Sequence, residues 1–342
     1  IIIMKKIIFL LSFLSIQSCN SQNNTSTLEK EIDISKYAIT ITSEALKDAL
    51  YTYASDEFEG RRTGEPGQKK AIEFIKDFYL KNAIPSPLGD NDYFQEIPES
   101  FFSSGIKASE NVVAYIEGSE KPNEVLVLSA HLDHIGISSD GQINNGADDD
   151  GSGTVAVLEI AKAFKAAVND GNRPKRSLLF LHVTGEELGL YGSRYYTDVD
   201  PVFPLENTIA DLNIDMIGRI DPKHIDNTDY LYLIGSDKLS TELHTISEEV
   251  NKKYLNMEFD YTYNDDNDPN RFYYRSDHYN FAKNNIPVIF YFNGTHADYH
   301  RPSDTPDKIE YDLLAKRAKL IFYTAWELVN RENRIVVDKV QN

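Results

Sequence analysis

The chain of 342 residues has a single cysteine, Cys19, so no disulfide within it can hold the fold. It is short of positive charge. Thirty-five Lys and Arg stand against 54 Asp and Glu, a formal net charge of -19, and a phosphate backbone would be repelled. Nucleic acid is therefore excluded as a partner, whereas cationic groups such as free amines would be attracted. No apolar run is long enough to span a bilayer: IIFLLSFLSI, near the N-terminus, falls well short of the ~20 residues a spanning helix needs. No internal repeat is evident, and with 41% hydrophobic residues the chain is not expected to be disordered.

The N-terminus reads as an address. Met4, Lys5 and Lys6 open a basic region, IIFLLSFLSI follows, and QSC ends it at Cys19. The pattern resembles a bacterial lipoprotein leader, although Ile16, Gln17 and Ser18 stand where small residues are commoner. The expected organisation is a lipoprotein-like signal peptide over 1–19, a polar Ser, Asn and Thr-rich tether over 20–36, and one folded domain over 37–342. The protein is expected to be exported, either held in the cell envelope by a lipid on Cys19, its only membrane contact, or secreted.

Within the domain, VLVLSA, SLLFLHVTG and TIADLNI read as strands buried on both faces. Residues 43–49, 67–83 and 154–167 read as helices, the second with Ala71, Phe74, Ile75 and Phe78 on one face. Each apolar run ends in residues that could hold a metal: His131 in HLDH, Glu187 in TGEELGLYG and Asp215 in NIDMIG. Asp149 in GADDDGSG and His300 in YHRPSDT complete an ordered set of five. Two imidazoles and three carboxylates suit zinc, and a shared carboxylate could hold two ions roughly 3.5–4 Å apart. Open α/β sheets place their sites at the carboxyl ends of strands, so the five are expected on one rim. Glu186 would then be free to act as a base. Asp133, two residues after His131, is the expected acceptor for the other ring nitrogen of that histidine.

The order and wording of HLDH, GADDDGSGT, TGEELGLYGS, NIDMIG, SDH and YHRPSDTPDKI resemble the M28 family of zinc aminopeptidases and related exopeptidases, over 46–329. The resemblance implies a three-layer α/β/α sandwich with a mixed central sheet. It also implies two zinc ions, one on His131 and Asp215 and one on Glu187 and His300, with Asp149 bridging and Asp148 and Asp150 in supporting roles. The implied substrate is a peptide, cut at its free N-terminus by a metal-activated water with Glu186 as general base. Tyr299 and Tyr273 are candidates to donate to the developing oxyanion, and Asp277, in the SDH block, is a candidate substrate contact. His134, His182, His224, His244 and His296 are assigned no ligand role.

Two other enzymes remain open at this point: a single-zinc cyclotransferase of glutaminyl peptides, and a carboxypeptidase or dipeptidase on a related scaffold. Arg271 and Arg275 could grip a substrate carboxylate and would favour the latter. The acidic loop 264–271 lacks the Gly and terminal Glu of an EF-hand, so a solvated loop is expected there rather than a calcium site.

Overall fold

The computed structural model of the protein describes residues 32–89 and 91–339. The leader, Cys19 and most of the expected tether lie outside them. The compact unit begins at Ile34, so the end of the stretch read as tether folds with the domain, entering helix α1 (Ser35–Ala38). Then follow α2 (Ser43–Tyr53), α3 (Pro66–Lys81), β1 (Phe94–Ile97), β2 (Ser109–Ile116), β3 (Lys121–His131) and a small hairpin of β4 (Gly136–Ile137) and β5 (Ile143–Asn144). The chain continues through α4 (Gly153–Asn169), β6 (Arg176–Val183), α5 (Tyr191–Asp198), β7 (Thr208–Ile214), β8 (Tyr230–Ile234) and α6 (Thr241–Tyr254). It closes with β9 (Glu258–Asp260), α7 (His278–Ala282), β10 (Val288–Phe292) and α8 (Tyr311–Asn330).

Eight strands form one mixed sheet in the order β1-β2-β6-β3-β7-β10-β8-β9. Its middle, β6-β3-β7-β10, is parallel, and antiparallel pairings flank it at β2/β6 and β10/β8. The middle strands are apolar throughout because both faces are covered. Leu126, Leu128, Leu178 and Phe180 point into a core shared with α2, α3, α4, α6 and α8. Their neighbours Val125, Val127, Leu179 and Leu181 point the other way, against Tyr196 of α5 and Phe281 of α7. The result is the expected α/β/α sandwich, with one helical layer much heavier than the other.

Helix α3 buries Ala71, Ile72, Ile75 and Tyr79, a face turned slightly from the expected one; Phe74 and Phe78 flank it. The rotation brings Tyr79 over the sheet, where its Oη lies 2.7 Å from His182 Nε2 on β6. Burial pushes the His182 pKa down to about 3. An unfolded histidine titrates near 6.5, so the folded value is depressed. The contribution of neutral His182 to stability is therefore complete above that pH and is lost as pH falls toward the folded value, by up to ~1.4 kcal/mol per pH unit. His182→Gln keeps a polar partner for Tyr79 and should flatten the acid side of the stability profile. Urea unfolding at a series of pH values checks this, and a slope equal to that of the wild type would contradict it.

Candidate metal centre

The parallel strands deliver the expected residues to one edge. His131 is the last residue of β3, Asp215 follows β7, Glu186 and Glu187 lie in the turn after β6, and His300 lies in the loop after β10. Asp149 arrives from the segment between β5 and α4. His131 Nε2 is 3.1 Å from Asp149 Oδ1 and 3.6 Å from Asp215 Oδ1. His300 Nε2 is 3.0 Å from Asp149 Oδ2 and 3.1 Å from Glu187 Oε2. Asp149 thus faces both groups, one oxygen to each.

Its two acidic neighbours are occupied elsewhere. Asp150 accepts the backbone N–H groups of His131, Gly153 and Met216, tying the ends of β3 and β7 to the start of α4. Asp148 accepts from Gly218 N and Ser152 Oγ through one oxygen, and its other oxygen lies 3.1 Å from His296 Nε2. Asp304 Oδ2 holds the backbone N–H groups of Asp148 and Asp149. Gly153 is needed here, because a Cβ would stand 2.4 Å from both Asp150 Oδ1 and Ile214 O. Under the segment lies Arg61, fully buried, whose guanidinium donates to the carbonyls of Tyr53, Leu132, Asn145 and Gly146.

The donor set fits cations. Asp149 Oδ2 and Glu187 Oε1 are buried and face imidazole nitrogens, His300 Nε2 at 3.0 Å and His134 Nδ1 at 2.6 Å, so their negative charge is held in place only with a cation or a protonated imidazole beside it. His131 with Asp150 and Asp215, and His134 with Asp149 and Glu187, form two adjacent clusters whose ligand atoms are close enough to share an ion each. In the first cluster Asp215 is the better paired with His131, since the Asp150 oxygens already serve three amides. Burial alone would strip the proton from His131, but Asp215 and Asp149 outweigh it and hold its pKa well above the ordinary value. The same contest at His300, with Asp149 and Glu187 on the raising side, ends at about 10. With no cation beside it, Glu186 is lifted well above the carboxylate range by its recessed position and by Glu187 and Asp215, with His131 opposing; cations in the two adjacent clusters would favour its ionised form.

Three expected contacts differ. His131 Nδ1 lies 3.0 Å from the carbonyl oxygen of Asp133, while the Asp133 carboxylate is 3.9 Å away and instead accepts from Thr63 Oγ1 and Glu186 N. Asp133 therefore steadies the turn that carries Glu186 as well as the imidazole. Tyr273 is not part of the cleft lining and packs on His278 and under Lys238. Asp277 is fully buried on Ser193, its pKa pushed up to about 7 by that burial, and cannot touch a substrate. Of the histidines given no role, His182, His224, His244 and His296 pair with Tyr79, Asp260, Ser236 and Asp148 respectively. His134 is the exception, with Nδ1 2.6 Å from Glu187 Oε1.

Above the cluster opens a cleft. His131, Asp149, Glu186, Asp215 and His300 form its charged floor; Met216, Phe272, Phe290 and Phe292 form an apolar wall; Tyr299 and Arg275 stand at the rim. Sequence reasoning found Tyr299 and Arg275 but not Phe272, which reaches the cleft because Asp268, in the acidic loop, accepts its backbone N–H. That loop spends its carboxylates on such turns and on Lys238.

The raised histidine pKa values have a consequence for loading. At neutral pH the chelator-stripped protein holds His131 and His300 protonated, and a metal ligand must be neutral, so zinc binding should expel about two protons per chain. Titration calorimetry in buffers of different ionisation enthalpy reads this number directly; no proton release near pH 7 would contradict the assignment of these imidazoles.

Residues 111–325 match the family model described as Peptidase family M28. Leupeptin-inactivating enzyme 1 of Streptomyces exfoliatus is 30% identical over 259 residues, 76% of this chain and 50% of that protein. The chain thus spans about half the length of that relative. Among solved structures, BSAP, a zinc aminopeptidase from Bacillus subtilis, superposes with a TM-score of 0.65 at 15% identity, over 86% of this chain and 96% of that one. A glutaminyl cyclase from Bacteroides thetaiotaomicron superposes with a TM-score of 0.63 at 14% identity, over 86% and 99%. At such identities the likeness is one of fold, and fold does not separate peptidase from cyclase. The family match rests on the strands and turns that build the cleft, and by it the chain belongs to peptidase family M28.

Proposed function

We propose that the protein is a two-zinc exopeptidase that removes residues from the free N-terminus of peptides. The observation that carries this reading is Asp149, with one carboxylate oxygen toward His131 and Asp215 and the other toward His300 and Glu187. One zinc would rest on His131 and Asp215, the other on His300 and Glu187, and Asp149 would serve both. Bound there, the pair would lower the pKa of a water and polarise the scissile carbonyl.

The chain's own residues supply the rest. Glu186 stands in the cleft floor but is not needed as a ligand, and its backbone N–H is fixed on Asp133 Oδ1. It takes the proton of the attacking water and passes it to the leaving amine. Burial and the charges of Asp149 and Asp215 push the Tyr299 phenol far up, so it keeps its proton and can donate it to the developing oxyanion. Its ring lies on His300 at a centroid distance of 3.8 Å, which fixes where the hydroxyl points. Met216, Phe272, Phe290 and Phe292 offer an apolar wall to the side chain of the departing residue.

The polarity of the cut follows from charge. A free α-amine near Glu186 and Asp215 gains an ionic contact that an acylated one lacks. BSAP is called a zinc aminopeptidase. A second reading has its own support: Arg275 sets a guanidinium at the rim of the same cleft, where a substrate carboxylate could meet it, as in a carboxypeptidase or dipeptidase. If the metal count is one, the cyclase reading takes precedence.

Two measurements test the proposal. Glu186→Gln should retain both zinc ions by metal analysis yet lose turnover by a factor on the order of 100 or more; a variant that still turns over at the wild-type rate removes Glu186 from the chemistry. N-acetylation of a short peptide should lower kcat/KM sharply relative to the free peptide. Equal values would end the aminopeptidase assignment, and release of C-terminal residues would establish the Arg275 reading.

A further inference from the structure

We infer that Thr63 is a positioning residue for Glu186, acting through Asp133: its hydroxyl fixes the carboxylate that in turn fixes the backbone N–H of the general base. The inference rests on the reading of Glu186 as that base and adds to it what holds the base in place.

Thr63 lies in the short turn before α3 and is buried. Its Oγ1 donates to Asp133 Oδ2 at 2.7 Å. The other carboxylate oxygen, Asp133 Oδ1, accepts the backbone N–H of Glu186 at 3.1 Å. The main chain of Asp133 serves the metal centre, since its carbonyl oxygen lies 3.0 Å from His131 Nδ1. One residue therefore stands between a metal-binding imidazole and the base, its main chain on the first and its carboxylate on the second, with Thr63 behind that carboxylate.

A carboxylate must be held at both oxygens to keep one orientation. The torsion that turns it is broad and nearly two-fold, so a single hydrogen bond leaves it room to swing. An alternative partner is close here: Asp133 Oδ1 is 3.9 Å from His131 Nδ1. Without the hydroxyl, the carboxylate can turn toward that nitrogen and release the Glu186 N–H. The segment beyond has the freedom to respond. Gly185 precedes Glu186 with φ +72°, and the Glu186 carbonyl oxygen accepts only within its own turn, from Gly189 N at 2.9 Å and Leu190 N at 3.0 Å. Asp133 is thus the partner that ties the backbone of the base to the loop after β3.

The hydroxyl is not what keeps the two segments together. Arg61 Nε donates to the Leu132 carbonyl at 3.2 Å, the Arg61 carbonyl accepts from His134 N at 3.3 Å, and Arg62 Nη1 donates to the Ile135 carbonyl at 3.3 Å. None of these contacts uses an atom of Thr63. Thr63→Val keeps the volume of both branches and removes only the O–H, so it loosens the carboxylate without parting the segments. Displacing a reacting group by about 1 Å can lower turnover by ~100-fold, and the residues that would bind zinc and substrate are left where they are.

Steady-state kinetics on the zinc-loaded protein, with metal analysis of each sample, tests this in a double-mutant cycle. Thr63→Val should keep the wild-type zinc content and a KM within about two-fold, while kcat falls by about 10-fold or more, the size of effect seen when a partner behind a working group is lost. Thr63→Ser restores the hydroxyl and should recover most of that loss. In a Glu186→Gln background, Thr63→Val should lower turnover by no more than about two-fold, because the base it positions is already gone. Wild-type kcat in Thr63→Val, loss of zinc with unchanged kcat per bound ion, or a fall of equal size in both backgrounds would overturn the role of Thr63 and leave Glu186 as the base. Wild-type turnover in Glu186→Gln alone would overturn the reading of Glu186, and this inference with it. Should Thr63→Val not fold, Thr63→Ala carries the same cycle.

Discussion

Concentrated negative charge at the carboxyl edge of the sheet is the constraint around which the rest of this molecule is arranged. Asp133, Asp148, Asp149, Asp150, Asp277 and Asp304 are all buried there, with Glu186, Glu187 and Asp215 beside them. Uncompensated, such a set would not stay folded, since each buried carboxylate without a partner costs several kcal/mol. The chain divides the problem. Asp148 and Asp150 are satisfied by backbone amides and by Ser152 or His296, and Asp304 takes two amides through Oδ2 while its Oδ1 lies 3.8 Å from Arg219. Asp149, Glu187 and Asp215 are left facing imidazoles. The first group makes the frame, and the second is what the frame presents.

That frame is held from below by cations that never meet the carboxylates. Arg61 spends its guanidinium on carbonyls at the end of α2, after His131 and before Asp149, so three separate segments of the site share one fully buried donor group. Arg317 does the same on the far side, donating to the carbonyls of Ile217, Arg219 and Tyr230 just beyond Asp215. A guanidinium suits this work because its several N–H groups lie in one rigid plane and stay charged on burial. Placing these charges against carbonyls rather than acids keeps the carboxylates available, at a cost in stability that the heavy helical layer offsets through its larger apolar core.

The legibility of this site in the sequence follows from the same division. The buried parallel strands announce themselves as unbroken apolar runs, and the residues at their ends follow immediately in the chain, so His131, Glu187 and Asp215 could be read off with their strands. Asp149 and His300 lie on loops, and only the wording of their motifs marked them. The contact of His134 with Glu187 could not be read because it depends on the path of a loop: three residues past a strand the ring could point anywhere, and the close approach of Gly146 beside it is a tertiary fact. Tyr273 and Asp277 lie away from the cleft lining. Their neighbours Phe272 and Arg275 line the cleft while they themselves are turned into the light helical layer, and a one-residue difference in direction along a tight turn leaves no mark in composition.

The cleft itself limits what it can accept. Its floor is anionic, its wall is aromatic, and Arg275, the one guanidinium in its lining among the described residues, stacks over Phe272 at 4.8 Å and lies 3.4 Å from the Tyr299 hydroxyl. A peptide entering amine first meets the carboxylates with its own positive charge, and the carbonyl it presents next comes to Tyr299. On the proposed reading, Arg275 would then lie beyond the scissile bond, on the side of the leaving segment. For a dipeptide that segment ends in a carboxylate, and for a longer chain it carries only a neutral carbonyl. The same guanidinium can thus favour short substrates without reversing the direction of the cut, so a preference for dipeptides and an aminopeptidase mechanism are compatible in one site.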